Sequence, residues 1–231
     1  MTSDFPLVFS VTSGKGGVGK TNISVNLAYA LSKLGKRVVL MDADLGLANV
    51  DVLLGLAPKL SLFHLFHESM SLEKILLETP YGFSILPASS GVSDMLTLST
   101  GQKLDLLDAM DYLEGMVDYL IVDTGAGIND SVLYFNLAVQ ERLLILTPEP
   151  TSLTDVYALI KVLKVNHGVE RFRVLINMVQ DHKTAREVFI KLHRACDHFL
   201  SGVSLDLVGY VPHDAAVRQA VVQQIPFCHL L

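Results

Sequence analysis

The sequence predicts a three-layer α/β fold, in which helices cover both faces of a mostly parallel, twisted sheet of about seven or eight strands. The 231 residues are 50% hydrophobic and 18% charged, which allows one large core to be buried. Short apolar, β-branched runs alternate with segments of helical length, as parallel strands with helical crossovers require. Because no linker rich in Pro, Gly or Ser interrupts this alternation, we expect residues 1–231 to form a single domain.

The predicted elements follow from two periodicities. Buried strands are predicted where consecutive apolar and β-branched residues occur: residues 7–12, 37–43, 83–86, 119–123, 142–146, 173–177 and 205–211. Helices are predicted where apolar residues recur at helical spacing: residues 22–34, 101–114, 131–139, 151–166, 184–200 and 214–223. Glycines and prolines divide residues 45–95 into short pieces, so we expect motion or partner contact there.

Composition argues against several classes of protein. A net charge of -6 disfavours general binding to nucleic acid or to anionic lipid. The two cysteines, Cys196 and Cys228, have no motif spacing, which is typical of a reducing compartment. The N-terminal stretch MTSDFPLVFS lacks the basic residues of a secretion signal, and no apolar run is long enough for a transmembrane helix. We therefore expect a cytoplasmic protein.

The stretch SGKGGVGKT, residues 13–21, lies between the first predicted strand and the first predicted helix. Its glycines let the backbone turn its N–H groups toward phosphate oxygens, and the helix N-terminus adds positive potential. The motif places Lys20 on the terminal phosphates and the Thr21 hydroxyl on Mg²⁺. A chance glycine-rich turn is the alternative, but the order of strand, motif and helix favours a P-loop. The predicted nucleotide-binding residues of this segment are Gly14, Lys15, Gly16, Gly17, Val18, Gly19, Lys20, Thr21 and Asn22.

Acidic residues follow or end two further strands. Asp42 and Asp44 close the run VVLMDAD and are expected to point to the same side, because side chains alternate along a strand. Asp123 ends YLIVD, before a predicted glycine-rich turn over residues 124–127 in which Gly125 would approach the γ-phosphate. Ligands bind at this edge of open α/β sheets, and Mg²⁺ takes oxygen ligands. Helix caps or solvated strand ends are the alternative for each aspartate taken alone.

The position of Lys15 directly after Gly14 resembles the deviant P-loop of the MinD/ParA group of ATPases, whose fold the nitrogenase reductases share. Further stretches are similar to the flagellar number regulators called FlhG or FleN. These stretches are DADLGLANVDVLLGL (42–56), LPASSGVSDMLTLS (86–99), LIVDTGAGIND (120–130), EPTSLTDVYALIKVL (149–163) and RFRVLINM (171–178). The resemblance extends from Val8 to about Gln224.

This resemblance implies roles for individual residues. Lys20 and Thr21 would hold the β- and γ-phosphates and Mg²⁺, while Asp42 and Asp123 would support the metal mainly through water. Asp44 would orient the attacking water. Asn177 would read the adenine, for which a helix cap is the alternative, and the segment made by Val211, Pro212, His213 and Asp214 would pack against the base.

Lys15 has no natural path back to its own γ-phosphate, where Lys20 already lies. The resemblance implies that two ATP-bound chains stack face to face and that Lys15 crosses to the partner's nucleotide, as an arginine finger does. The predicted catalytic residues are therefore Lys15, Lys20 and Asp44. Without the phosphates, the facing lysines would repel each other, so we expect monomers in the absence of ATP.

The predicted function is a slow, magnesium-dependent ATPase that switches between monomer and ATP-bound homodimer and regulates flagellar number or placement. The resemblance implies as partners the flagellar GTPase FlhF, the flagellar switch complex and a flagellar transcription activator, and we expect no direct binding to nucleic acid. The alternatives are a MinD-type division-site regulator and a nucleotide-binding interaction module with little turnover. The spacing of His193, Cys196 and His198 does not supply a metal site, and the shortage of cysteines argues against iron–sulfur carriers.

Relatives carry segments on both sides of this core. Only residues 1–7 precede the first predicted strand, which leaves no room for the N-terminal helix that some members use to stimulate FlhF. No lysine or arginine follows Arg218, and Pro226 would break a helix, so we expect no membrane anchor in this stretch. Peripheral association with the inner membrane is expected only if an anchor lies beyond it.

Overall fold

The structure, a computed structural model, describes residues 6–88 and 98–230. Residues 89–97, in the middle of the motif LPASSGVSDMLTLS, lie outside the described part. The strands are β1 (Leu7–Ser13), β2 (Val38–Ala43), β3 (Leu77–Glu78), β4 (Ser84–Leu86), β5 (Tyr119–Ala126), β6 (Glu141–Leu146), β7 (Arg171–Val179) and β8 (Ser204–Pro212). The helices are α1 (Lys20–Lys33), α2 (Val50–Leu53), α3 (Leu62–Glu68), α4 (Leu72–Ile75), α5 (Thr100–Asp111), α6 (Asp130–Ala138), α7 (Pro150–His167), α8 (His182–Phe199) and α9 (Ala215–Gln223).

The strands form one sheet in the order β3-β4-β2-β5-β1-β6-β7-β8. The pairs β2–β4, β6–β7 and β7–β8 are parallel, and only the two-residue β3 is antiparallel among the pairs whose register is described. The predicted α/β fold with a mostly parallel sheet of seven or eight strands is confirmed.

One feature of the sheet differs from the sequence prediction. The predicted turn over residues 124–127 is wrong at its start, because β5 continues through Ala126. Thr124 is buried and its hydroxyl donates hydrogen bonds to the Val11 carbonyl and the Thr12 hydroxyl, which holds this stretch extended. Gly127, with φ of +96°, makes the actual turn.

The described residues group into two compact units. The first contains those of Met1–Phe9, Thr21–Asp123 and Ala216–Leu231. Its central strand β2 is buried over its whole length, as the unbroken apolar run VVLM requires. Parallel pairing of Val39, Leu40 and Met41 with Ser84, Ile85 and Leu86 continues this buried layer.

The second unit contains Ser10–Lys20 and Thr124–Ala215. Its core is one apolar cluster to which α7 contributes a stripe at helical spacing, consisting of Val156, Leu159, Ile160 and Leu163. The long helix α7 starts at Pro150, whose fixed φ suits a first helical position, and ends at Gly168 in a left-handed conformation. This unit positions the phosphate loop against the start of α7.

Candidate functional site

The predicted phosphate loop connects β1, which ends at Ser13, to α1, which begins at Lys20. Gly14 lies so close to α7 that an added Cβ would be 2.1 Å from the main-chain carbon and oxygen of Asp155. At Gly19 φ is +91°, and an added Cβ would be 2.5 Å from Nδ2 of Asn177. These two glycines are therefore required by the packing of the loop on its neighbours.

The open side of the loop is formed by Gly16 and Gly17, which are exposed. Apart from the glycine itself and its two chain neighbours, no described atom lies within 4 Å of a Cβ built on either of them. Val18 and Lys20 are buried on the other side, and the Ser13 hydroxyl donates to the Lys15 carbonyl over 2.7 Å. An exposed glycine pair thus precedes the N-terminus of a 14-residue helix, which is an arrangement suited to binding phosphate.

The second lysine of the motif, Lys15, does not turn back into its own loop. Its ammonium group forms an ion pair with Glu149 and donates a hydrogen bond to the Thr151 hydroxyl over 3.0 Å. Glu149 is the N-cap residue of α7, and Thr151 lies in the first turn of that helix. The N-terminal end of α7 therefore contacts both the backbone at Gly14 and the side chain of Lys15.

Asn177 lies near the end of β7 and is 6% exposed. Its side-chain Nδ2 donates a hydrogen bond to the Val18 carbonyl over 2.8 Å, so in this structure Asn177 is an anchor of the phosphate loop. Asn177 pairs in register with Val211, and the His213 N–H donates to the Val179 carbonyl over 2.9 Å. The structure thus brings Asn177 together with the segment that contains Val211, Pro212, His213 and Asp214, the two parts of the predicted adenine site. The helix cap considered as the alternative is supplied by Asp181, which accepts from the Thr184 N–H.

Two carboxylates on adjacent strands, Asp42 on β2 and Asp123 on β5, are each 2% exposed. Asp42 accepts hydrogen bonds from the N–H groups of Asp44, Asn49 and Val50 over 3.1, 2.9 and 3.1 Å. Burial, together with the negative charge of Asp123, nevertheless raises the pKa of Asp42 to about 8. Ionisation of Asp42 beside Asp123 is therefore unfavourable unless a cation offsets the negative charge.

Asp123 has a partner on α1 that the sequence analysis missed. The hydroxyl of the buried Ser24 donates to Asp123 Oδ1 over 2.8 Å. Ser24 lies three residues after Thr21, so both hydroxyls lie on the same side of the helix. That spacing was the available signal, but it does not by itself reveal which strand the hydroxyl contacts.

Asp44 lies one residue beyond β2, so the alternation of side chains along the strand does not extend to it. It is half-buried, and its Oδ1 accepts a hydrogen bond from the Leu47 N–H over 3.3 Å. Its own N–H is bound to Asp42, so the carboxylate of Asp42 fixes the start of the loop that carries Asp44. The predicted Gly125 lies in β5 and is buried.

The donor set at Thr21, Ser24, Asp42 and Asp123 consists of hydroxyl and carboxylate oxygens, which suit Mg²⁺ rather than a softer metal. Within residues 6–88 and 98–230, no three His, Cys, Asp or Glu side chains group as metal ligands. The oxygen donors and the lack of a three-residue ligand group among the described residues both fit a site in which Asp42 and Asp123 would contact Mg²⁺ partly through water molecules. No helix in the described ranges has the length and apolar character needed to cross a bilayer.

Comparison with known families identifies the chain. Residues 9–227 match the model of the CobQ/CobB/MinD/ParA nucleotide binding domain, called CbiA. The chain belongs to this family. The resemblance inferred from the deviant phosphate loop and the later motifs is therefore confirmed, and the loop described above is that of a MinD/ParA-type nucleotide-binding domain.

Comparison with individual proteins shows which members of the family are similar to this chain. The chain is 52% identical over 217 residues to the antiactivator FleN of Pseudomonas aeruginosa, covering 94% of this chain and 77% of that protein. It is 34% identical over 212 residues to the flagellum site-determining protein YlxH of Helicobacter pylori, covering 92% and 71%. The solved structure of the septum site-determining protein MinD with Mg-ADP from Pyrococcus horikoshii has the same fold, with a TM-score of 0.79, 24% identity and coverage of 97% and 88%.

Proposed function

We propose that this chain is a magnesium-dependent ATPase whose ATP-bound form pairs with a second copy, and that this switch regulates flagellar number or placement. The observation that carries the enzymatic part is the buried pair of Asp42 and Asp123 in a chain that also has a phosphate loop. A buried carboxylate whose pKa is raised by burial and by a neighbouring buried carboxylate is suited to a site that takes up a divalent cation.

The proposed roles in hydrolysis follow from the chemistry of each side chain. Lys20 and the loop N–H groups bind the terminal phosphates, and Thr21, Asp42 and Asp123 hold Mg²⁺ directly or through water. Bound there, Mg²⁺ would neutralise charge on the phosphate oxygens. Asp44 orients the attacking water, because a half-buried carboxylate at the end of β2 can accept a proton from it.

The proposed switch depends on Lys15. In the single chain its ammonium group contacts Glu149 and Thr151, and the motif already supplies Lys20 for its own nucleotide. The ammonium group of Lys15 is thus an additional positive charge beside the loop. This supports a role on the nucleotide of a facing copy, where the lysine would stabilise negative charge in the transition state. The proposed adenine site consists of Asn177 together with Val211, Pro212, His213 and Asp214. Asn177 pairs in register with Val211, the first residue of that segment.

The flagellar part of the proposal rests on relatives. The two similar proteins described above are named antiactivator FleN and flagellum site-determining protein YlxH. We extend this to the proposed partners, which are FlhF, flagellar switch-complex proteins and a flagellar transcription activator. The MinD-type division-site regulator is the second candidate, favoured by 30% identity over 219 residues to the septum site-determining protein MinD of Bacillus subtilis.

Phosphate release tests the enzymatic part. The purified chain with Mg-ATP should release phosphate faster than its Asp44→Ala variant, which keeps the phosphate loop but lacks the proposed water-orienting carboxylate. Equal rates, with the flagellar partners present, would favour a nucleotide-binding module with little turnover.

Deletion of the gene tests the cellular part. A strain without this chain should have an altered number or placement of flagella, and cell length should stay unchanged. Normal flagella with misplaced division septa would support the MinD-type alternative instead.

A further inference from the structure

The N-terminal end of α7, together with its N-cap residue, contacts the phosphate loop at two places. At the backbone, Gly14 approaches Asp155 so closely that no side chain fits between them. At the side chains, Lys15 binds Glu149 and Thr151. The main-chain contact fixes the distance between loop and helix, so the ion pair is not an accident of two long side chains on separate mobile segments.

Glu149 occupies the N-cap position of α7, where a carboxylate could instead accept from the N–H groups of its own helix. Among the described residues, its side chain makes no such capping hydrogen bond. Pro150 at the first helical position leaves one N–H fewer to be capped. The carboxylate of Glu149 is thus directed to Lys15 although a local alternative exists.

The ion pair is exposed enough to be reversible. The side chains of Lys15 and Glu149 are 36% and 62% exposed, and pairs of this kind contribute little because water competes for both charges. A triphosphate carries several negative charges and would compete well with a single carboxylate for the same ammonium group.

We propose that Glu149 is a positioning residue for Lys15: it holds the lysine in the separate chain and must release it before the lysine can reach the nucleotide of a second copy. This inference rests on the proposed function, in which ATP-bound chains pair through Lys15. Glu149 then sets the concentration at which pairing occurs, because each dimer that forms must break two of these contacts.

Cross-linking tests the contact itself. A zero-length carbodiimide reagent joins an amine to a carboxylate only when the two touch, so the nucleotide-free chain should give a Lys15–Glu149 link, identified by mass spectrometry. The partly exposed Lys164–Glu170 pair, at 2.6 Å, is the internal control for the reagent. The Lys15–Glu149 link should decrease when a non-hydrolysable ATP analogue and Mg²⁺ are added, while the control link persists. A missing link in the nucleotide-free chain, or one that persists in paired chains, would overturn the inference.

The Glu149→Gln variant tests the energetic consequence. An exposed ion pair shifts an equilibrium by a few-fold at most, so the loss of two per dimer should tighten ATP-dependent pairing by about two- to thirtyfold. Glu187→Gln, at an exposed position of α8, removes the same charge and should leave pairing unchanged. Unchanged pairing in Glu149→Gln would contradict the inference, and weaker pairing would assign Glu149 to the dimer instead of the separate chain.

The two experiments separate this inference from the function on which it rests. A wild-type chain that never pairs with ATP overturns the proposed switch. The cross-link in the nucleotide-free chain then decides alone whether Glu149 holds Lys15.

Discussion

The side-chain nitrogen of Asn177 donates a hydrogen bond to the main-chain carbonyl of Val18 over 2.8 Å. A residue near the end of β7 thereby fixes the phosphate loop between β1 and α1, and both partners are buried. If Asn177 also reads the adenine as proposed, recognition of the base and the conformation of the loop depend on the same side chain.

Asn177→Ala should weaken nucleotide binding through the loop as well as through the base. The substitution leaves the buried Val18 carbonyl without its partner, which costs about 1–3 kcal/mol and favours loop conformations that do not bind phosphate. Restoring the binding conformation lowers affinity by roughly five- to 150-fold. Calorimetric titration with ATP and with inorganic triphosphate separates the two roles. Loss of affinity for both ligands indicates the loop anchor, loss for ATP alone indicates base recognition only, and unchanged affinity for both contradicts the two roles together.

Gly14→Ala should destabilise the fold, because the added Cβ would lie 2.1 Å from main-chain atoms of Asp155 that cannot move independently. We expect a loss of about 1–3 kcal/mol in the free energy of unfolding, as for other overpacked sites. Gly16→Ala is the matched control, since its Cβ would have no described atom within 4 Å other than those of residue 16 and its two chain neighbours. Denaturant unfolding of both variants checks this, and equal stability of the two would show that the close approach of loop and helix is wrong.

Ser24→Ala should weaken the carboxylate site. The variant removes the hydroxyl that donates to Asp123, and hydrogen bonds to charged groups contribute about 1.5–3 kcal/mol. We expect the variant to be less stable than the wild type. Its affinity for Mg-ATP should fall more than its affinity for metal-free ATP. The partly exposed Ser131→Ala variant serves as the comparison. An unchanged ratio of the two affinities would remove Ser24 from the proposed metal site.

Asp118 predicts a pH dependence of stability. Hydrogen bonds from the side chain and the main-chain N–H of Arg37 hold the pKa of Asp118 below its ordinary range. Because the folded pKa is depressed, the stabilisation is present above the unfolded value of about 3.9 and is lost as pH falls through the folded value.

Asp118→Asn should therefore be less stable than the wild type at pH 7, and the difference should shrink below about pH 4. Urea unfolding at pH 7, 5, 4 and 3 measures it, with the exposed Asp105→Asn on α5 as a control for net charge. If the stability difference between wild type and variant is the same at every pH, the charge of Asp118 contributes nothing to stability.

The sequence was sufficient where the determinants are local. The phosphate loop could be placed because strand, glycine motif and helix are consecutive, and β2 could be placed because its apolar run ends at Asp42. Gly125 suggests a turn over residues 124–126, whereas the strand there is held by contacts of Thr124 with Val11 and Thr12, more than a hundred residues earlier.

The missing parts of the candidate site are also long-range. Ser24 faces Asp123 across 99 positions in the chain, and Lys15 faces Glu149 across 134. No local period encodes such pairs, since they depend on which strand and helix the fold places side by side. The short helices α2, α3 and α4 were missed for a related reason, because a helix of four to seven residues depends on packing more than on propensity.

The central claim is that Lys15 acts on the nucleotide of a second copy. Light scattering after size exclusion in Mg-ATP tests it most directly, with Asp44→Ala as the background so that hydrolysis does not dissolve the dimer. We predict a dimer for Asp44→Ala, a monomer that still binds ATP for Lys15→Ala/Asp44→Ala, and a dimer for Lys183→Ala/Asp44→Ala, which removes an exposed lysine elsewhere. A fully dimeric Lys15→Ala/Asp44→Ala protein would contradict the account.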